Sequence, residues 1–119
     1  MAAIDDQVGE LVRAFPGTRT AQEGGATYYL LPSVTLPAHC QPSTVDLLLC
    51  PVQRDGYETR LFLSEQVQRP PHPDEKKRLN WNGHARILER NWHALSWRIP
   101  GVLSMRLIQM VLCHLEAFQ

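Results

Sequence analysis

The chain has 119 residues, of which 44% are hydrophobic and 20% charged, a composition typical of one globular domain and far from that of disordered chains. Twelve Lys and Arg balance twelve Asp and Glu, so the positive field that draws a protein to nucleic acid or an anionic membrane is missing. No apolar run approaches the ~18 residues of a membrane span, and no secretion signal is evident. We predict a single domain over residues 1–119, soluble and cytoplasmic, without nucleic-acid or membrane partners.

The cysteine and histidine content favours neither disulfides nor metal. Cys40, Cys50 and Cys113 are odd in number and widely spaced, unlike the framework of a small secreted domain, and this favours a reducing compartment. The five histidines form no His-x3-His pair, and the cysteines form no Cys-x2-Cys pair. We therefore predict no metal site and no cofactor.

The first segment is predicted to be an amphipathic helix of about three turns. Acidic residues stand in its first turn, where the helix dipole favours them, and Pro16-Gly17 stops it. Its apolar residues recur at helical spacing and are expected to lie on the buried side: Ile4, Val8, Leu11, Val12 and Phe15.

Four segments rich in strand-forming residues follow. Gly24-Gly25 and Asp55-Gly56 mark turns between them, so consecutive strands should pair antiparallel. The predicted strands cover Thr18–Thr20, Ala26–Leu31, Val45–Cys50 and Tyr57–Leu63.

The remainder of the chain is predicted to be an irregular loop and then a closing helix. Three prolines exclude regular structure from Gln68 to Arg78, and Trp81, Trp92 and Trp97 follow within a short span. A wide apolar face then runs from Val102 to Phe118. The expected fold is α+β, a four-stranded antiparallel meander flanked by an N-terminal and a C-terminal helix.

Two groups of motifs follow one another along the chain. The first is Leu36-Pro37, then the strand that ends at Cys50-Pro51, then Gly56-Tyr57. The second is Arg90-Asn91-Trp92 followed by Trp97-Arg98-Ile99-Pro100-Gly101-Val102. Together they resemble the bacterial family E branch of the ubiquitin-conjugating (UBC) superfamily, and the second group is similar to the tryptophan-rich carboxy-terminal signature of that branch. The likeness covers nearly the whole chain and implies a UBC-like, RWD-like domain.

The resemblance also implies a biological setting and a set of partners. Members of this branch belong to bacterial ubiquitin-like modification systems, some of them antiphage defence modules, with a ubiquitin-like modifier, a ThiF-type activating enzyme and a JAB-type peptidase. The first helix is where UBC proteins generally meet their activating enzyme. The expected partner-binding residues are therefore its polar positions Gln7, Glu10 and Arg13.

The sequence departs from the UBC pattern in its chemistry. The segment that corresponds to the reaction loop, residues 80–88, contains no cysteine, and none occurs between Cys50 and Cys113. A carrier needs an accessible thiolate for thioester exchange. We therefore predict an adaptor that binds the modifier or the activating enzyme, a pseudoenzyme. The alternatives are an active conjugating enzyme with an unusual nucleophile and a plain α+β interaction module.

Four residues are candidates for catalysis in the enzyme alternative. Cys40 lies in a loop expected to be exposed, where His39 would lower its thiol pKa, and a serine near His93 is a second candidate nucleophile. His84 would serve as a base and Asn80 as an oxyanion donor. The competing interpretation is that Asn80 and His84 only organise an irregular loop, and that Cys50 and Cys113 are small buried hydrophobes.

Overall fold

The part of the chain that the computed structural model describes contains two α-helices and six strands. The described residues are 2–52, 54, 56–70, 79, 81–95, 99, 101 and 104–119, with residues 2–5 and 82 described by their backbone alone. In chain order the elements are α1 (Ala2–Ala14), β1 (Arg19–Glu23), β2 (Ala26–Thr35), β3 (Thr44–Cys50), β4 (Arg60–Leu63), β5 (Trp81–Ile87), β6 (Arg90–Leu95), α2 (Leu107–Leu115) and a 3-10 turn (Glu116–Phe118). The predicted α+β class is confirmed.

All six strands form one antiparallel sheet in the order β1-β2-β3-β4-β6-β5. The predicted meander of four strands is present as β1 to β4, with each strand paired to the next. The predicted total of four is wrong, because the segment expected to be an irregular loop forms the β5–β6 hairpin. β6 joins the meander beside β4 through the pairs Phe62 with Ala94 and Leu63 with His93.

The β5–β6 hairpin escaped prediction because of its turn. Leu88 and Glu89 form a two-residue connection with φ of 54° and 61°. Such turns need positive φ at both central positions and normally use Gly, Asn or Asp, as Gly24-Gly25 does between β1 and β2. Leu and Glu give no turn signal, and holding them in the left-handed region strains the backbone.

Both faces of the sheet are covered by apolar side chains. On β3, Leu47 and Leu49 belong to the core cluster that includes α1 and α2. Leu48 and Cys50 point the other way, into a second cluster with Trp92. The continuous apolar run from Leu47 to Cys50 in the second half of β3 is the sequence signature of a strand segment buried on both sides.

The two helices differ from their prediction at one position and at one boundary. Leu11 is fully buried as expected, whereas Val12, predicted to be buried, is 38% exposed because it lies off the stripe that faces the sheet. α2 begins at Leu107, five residues after the predicted start, since Arg106 is extended with φ −74° and ψ 158°. Neither described helix is long and apolar enough to cross a membrane.

Two carboxylates hold the curled sheet together across strands that are not neighbours. The Leu88 amide in the β5–β6 turn donates to Glu23 at the end of β1, at 2.9 Å, so the tips of the two edge hairpins meet. Asp46 on β3 accepts from the Ser33 amide and from Arg90, both at 2.8 Å. The Ser33 amide, aided by Arg90 and opposed by burial, lowers the pKa of Asp46.

The substitution Glu89→Gly is expected to stabilise the protein. Glu89 is exposed and makes no hydrogen bond or ion pair with another described residue. Glycine adopts positive φ without the steric cost that Glu carries, so the free energy of unfolding in urea should rise by about 1 kcal/mol. Thr20→Gly, at an exposed β1 position, should instead lower it. An equal loss of unfolding free energy in both variants would contradict the interpretation that the Leu88-Glu89 turn is strained.

Candidate functional site

A cluster of polar side chains joins α1 to the beginning of α2. The Arg106 guanidinium donates to Glu10 at 3.0 Å and to Asp6 at 2.9 Å. Gln7 accepts a hydrogen bond from the Leu107 amide at 3.0 Å, so a side chain of α1 caps one of the free amides of α2. The glutamate and aspartate raise the pKa of Arg106, which keeps its charge fixed.

This cluster occupies the hydrogen-bonding groups of two of the three predicted partner-binding residues. Gln7 and Glu10 already bond within the chain, whereas Arg13 is exposed in the last turn of α1. Arg13 folds back along the helix, with Nη1 3.6 Å from the position that a Gly9 Cβ would take. Arg13 is therefore the one predicted partner-binding residue that a partner can contact without breaking the bonds to α2. Val12, which was predicted to be buried, is exposed beside it.

The expectation that Cys40 lies in an exposed loop is wrong. Its side chain is 3% exposed, and Sγ lies 3.6 Å from the Phe118 carbonyl oxygen in the last turn of the chain. Backbone hydrogen bonds in both directions between Gln41 and Gln68, each 2.8 Å, hold this loop against the domain. Burial raises the pKa of the Cys40 thiol, although Arg69 partly opposes the shift. The neighbouring His39 is itself exposed and does not activate it.

The other two thiols are also shielded. Cys50 is 1% exposed, and its Sγ lies 3.5 Å from the Val52 carbonyl oxygen. Cys113 is half-buried beside the Met105 sulfur at 3.7 Å, and burial together with Glu116 raises its pKa. The prediction that Cys50 and Cys113 pack as hydrophobic residues agrees with these positions.

The structure brings two of the predicted catalytic residues together. His84 and His93 are direct cross-strand partners on β5 and β6, with ring centroids 6.4 Å apart. Trp81 packs its ring edge-on to His93 at 6.4 Å. The segment is a paired strand instead of the expected loop, so His84 is held on a rigid edge. Asn80, the fourth candidate, lies outside the described residues.

A buried polar group that the sequence did not single out lies between β4 and α2. His114 is 1% exposed, and its Nε2 lies 3.0 Å from the Thr59 hydroxyl. Burial, with a smaller contribution from Arg60, lowers the pKa of His114 to about 4. The signal available in the sequence was a histidine within the apolar face of the last helix, a position where only a hydrogen-bonded, neutral imidazole is tolerated.

Arg60 beside this histidine is buried as well. Its guanidinium stacks over the Tyr57 ring at 4.3 Å and donates to the Leu95 carbonyl oxygen at 3.3 Å. An arginine inside a core is tolerated when aromatic faces and carbonyl oxygens replace water around its charge. Within the described residues, no group of three or more His, Cys, Asp or Glu side chains could hold a metal ion.

Comparison with known proteins found no similar family, protein or structure. No protein-family model matches the chain, and neither the curated proteins nor the solved structures give a match. The UBC resemblance therefore stays a prediction carried by the motifs and their order.

The stability of the protein should fall between pH 7 and pH 4 because of His114. The folded state holds this side chain neutral down to about pH 4, whereas the unfolded chain binds its proton near pH 6.5. Protonation then favours the unfolded state, and about 3 kcal/mol of unfolding free energy should be lost by pH 4. Urea denaturation at a series of pH values measures this loss.

The variant His114→Gln isolates the effect. It keeps a hydrogen-bonding group near Thr59 but cannot titrate, and every other histidine is unchanged. The difference in unfolding free energy between the unchanged protein and the His114→Gln variant should shrink or reverse as the pH falls from 7 to 4. A pH profile identical in slope for both proteins would mean that His114 is not the responsible group.

Proposed function

We propose that this chain is a UBC-like adaptor of a bacterial ubiquitin-like modification system, one that binds the modifier or its ThiF-type activating enzyme without forming a thioester. The order of the elements supports the proposal. A first helix precedes a four-strand antiparallel meander, and a helix closes the chain, in the order that the motif resemblance requires. The resemblance compares residues 80–88 with the reaction loop of a catalytic UBC domain, and the β5–β6 hairpin includes most of this segment.

The burial of the thiols is the observation that favours binding over carrying. Thioester exchange needs a thiolate that a second protein can reach. Cys40 and Cys50 are buried, and the pKa of Cys40 and of Cys113 is raised. None of the three positions provides both access and an activated sulfur.

The proposed docking surface is the C-terminal half of α1. Arg13 supplies an exposed charge, and Val12 beside it supplies an exposed apolar side chain. A charged rim residue next to an apolar one is a common composition at the edge of a protein–protein interface. Gln7 and Glu10 contribute indirectly, because their bonds to Leu107 and Arg106 fix the orientation of α1.

Intact mass spectrometry separates the adaptor from a carrier. After incubation with a ThiF-type activating enzyme, its modifier and ATP, the mass of this chain should be unchanged, while calorimetry should detect noncovalent binding to one of the two proteins. A modifier adduct that thiol reagents remove would refute the adaptor proposal and support the enzyme alternative. An adduct that only alkali removes would point to a serine.

Charge reversal at Arg13 tests the docking surface. Arg13→Glu should weaken binding to the activating enzyme or the modifier roughly tenfold, since it places a negative charge where the partner meets a positive one. Arg19→Glu is the matched control, because Arg19 is exposed on β1 and lies outside the proposed surface. Equal affinities for the Arg13 variant and the unchanged protein would exclude α1 as the docking site.

The plain interaction module remains the second candidate. It predicts no affinity for either component of a modification system, although the fold and its exposed surfaces would be the same. Absence of binding to both proteins, with the Arg13 variant and the unchanged protein equally inert, would favour it.

A further inference from the structure

Two histidines lie side by side on the β5–β6 hairpin. His84 and His93 are direct cross-strand partners, and their ring centroids are 6.4 Å apart. Directly opposed residues of an antiparallel pair project their side chains from the same face of the sheet. Because Ala85 and Trp92 pack with the second cluster on the other face, both imidazoles extend from the side that carries the helices. The two rings therefore share one surface, on the edge hairpin of the sheet.

The ring nitrogens of this pair have no structural role in the described part of the chain. No hydrogen bond joins a ring nitrogen of either histidine to a described residue, and Nδ1 of His93 is buried without a partner. His114 differs, because its Nε2 lies 3.0 Å from the Thr59 hydroxyl. An imidazole nitrogen that is shielded from water and has no partner is costly, and a water molecule or a bound ion commonly completes such a group.

One ring is held in place and the other can move. His93 is half-buried, with the Trp81 ring edge-on to it at 6.4 Å, and Trp81 itself packs against the core. His84 is exposed. A metal ion at about 2.0–2.1 Å from one nitrogen of each ring needs the rings slightly closer together than they are. Rotation of the exposed His84 side chain closes this gap without any change in the strands.

The donor atoms and the charge of this surface select the type of ion. Arg86 lies two residues after His84 on the same face, and its exposed side chain carries a positive charge. That charge opposes cations held mainly by electrostatic attraction, such as Mg²⁺ and Ca²⁺, which also require oxygen ligands. Imidazole nitrogen suits zinc, nickel and copper instead, because these ions form coordinate bonds with a neutral ring.

We propose that His84 and His93 form a two-ligand site for a divalent transition metal ion of the zinc, nickel and copper class. Each histidine supplies one ring nitrogen, and with Zn²⁺ two tetrahedral positions stay open to water or to a donor from another molecule. The absence of short ligand spacings in the sequence does not bear on such a site, since a hairpin brings its ligands together across the turn. The site lies apart from α1 and does not depend on the proposed adaptor function.

The test is a titration of the full chain with Zn²⁺, followed by calorimetry and by NMR of the histidine ring nitrogens. Zn²⁺ should bind saturably and shift the signal of one ring nitrogen in His84 and one in His93, which reports the coordinate bonds themselves. The midpoint of thermal unfolding should rise with the Zn²⁺ concentration, because only the folded hairpin holds the two ligands together. Mg²⁺ has the same charge but prefers oxygen, and it should cause neither effect.

Three variants locate the ion. His84→Ala changes an exposed side chain, and it should weaken Zn²⁺ binding at least tenfold because one of the two coordinate bonds is lost. His93→Gln keeps a polar side chain of similar size beside Trp81, and it should weaken binding to a similar extent. His39→Asn is the matched control, since His39 is exposed outside the hairpin and asparagine tolerates its φ of 73°. A dispersed NMR spectrum confirms that each variant is folded.

Several results would overturn the proposal. One is the absence of saturable Zn²⁺ binding to the unchanged protein. Another is Zn²⁺ binding that persists at full strength in folded His84→Ala and His93→Gln variants, because the ion would then lie at other residues. An equal response to Mg²⁺, or an equal loss of affinity in His39→Asn, would do the same. None of these results bears on α1, which the charge reversal at Arg13 tests separately.

Discussion

The structure depends on the burial of β3 on both faces. Leu47 and Leu49 pack toward the helices, and Leu48 and Cys50 pack into the second cluster. Fully burying a leucine stabilises a protein by about 1.5–3 kcal/mol, so this strand accounts for a large part of the core. A meander of four strands with helices on one side covers only one face of such a strand. The β5–β6 hairpin, with Trp92 and Ile87, supplies the second cover.

That arrangement constrains where reactive groups can lie. A cysteine at the end of a doubly covered strand is buried, and the loop that carries Cys40 is held beneath the last turn of the chain. Polar groups that remain inside are only partly satisfied. His114 Nε2 meets the Thr59 hydroxyl, and the Arg60 guanidinium meets aromatic rings and a carbonyl oxygen, whereas His114 Nδ1 has no hydrogen-bond partner among the described residues. Chemistry that needs an exposed thiolate is therefore disfavoured at Cys40 and Cys50, because both side chains are buried.

The sequence was sufficient for the parts of the fold whose signals are local. Helical spacing placed α1, and the Gly24-Gly25 turn with its apolar flanks placed β1 and β2. The β5–β6 hairpin was missed because Leu88 and Glu89 adopt positive φ without a residue that favours it. Tertiary contacts supply the compensation, since the Leu88 amide is bound by Glu23, 65 positions earlier in the chain.

The candidate site residues also divide into features that the local sequence predicts and features that depend on tertiary contacts. His84 and His93 could be named from their type but not paired, because their pairing requires the register of a hairpin with no sequence signal. Gln7 and Glu10 looked like exposed polar residues of an amphipathic helix, yet their acceptors meet donors about 100 residues away. The hydrogen bond from the Leu88 amide to Glu23 combines both effects, because it joins two turns that lie far apart in the chain and only one of them has a sequence signal.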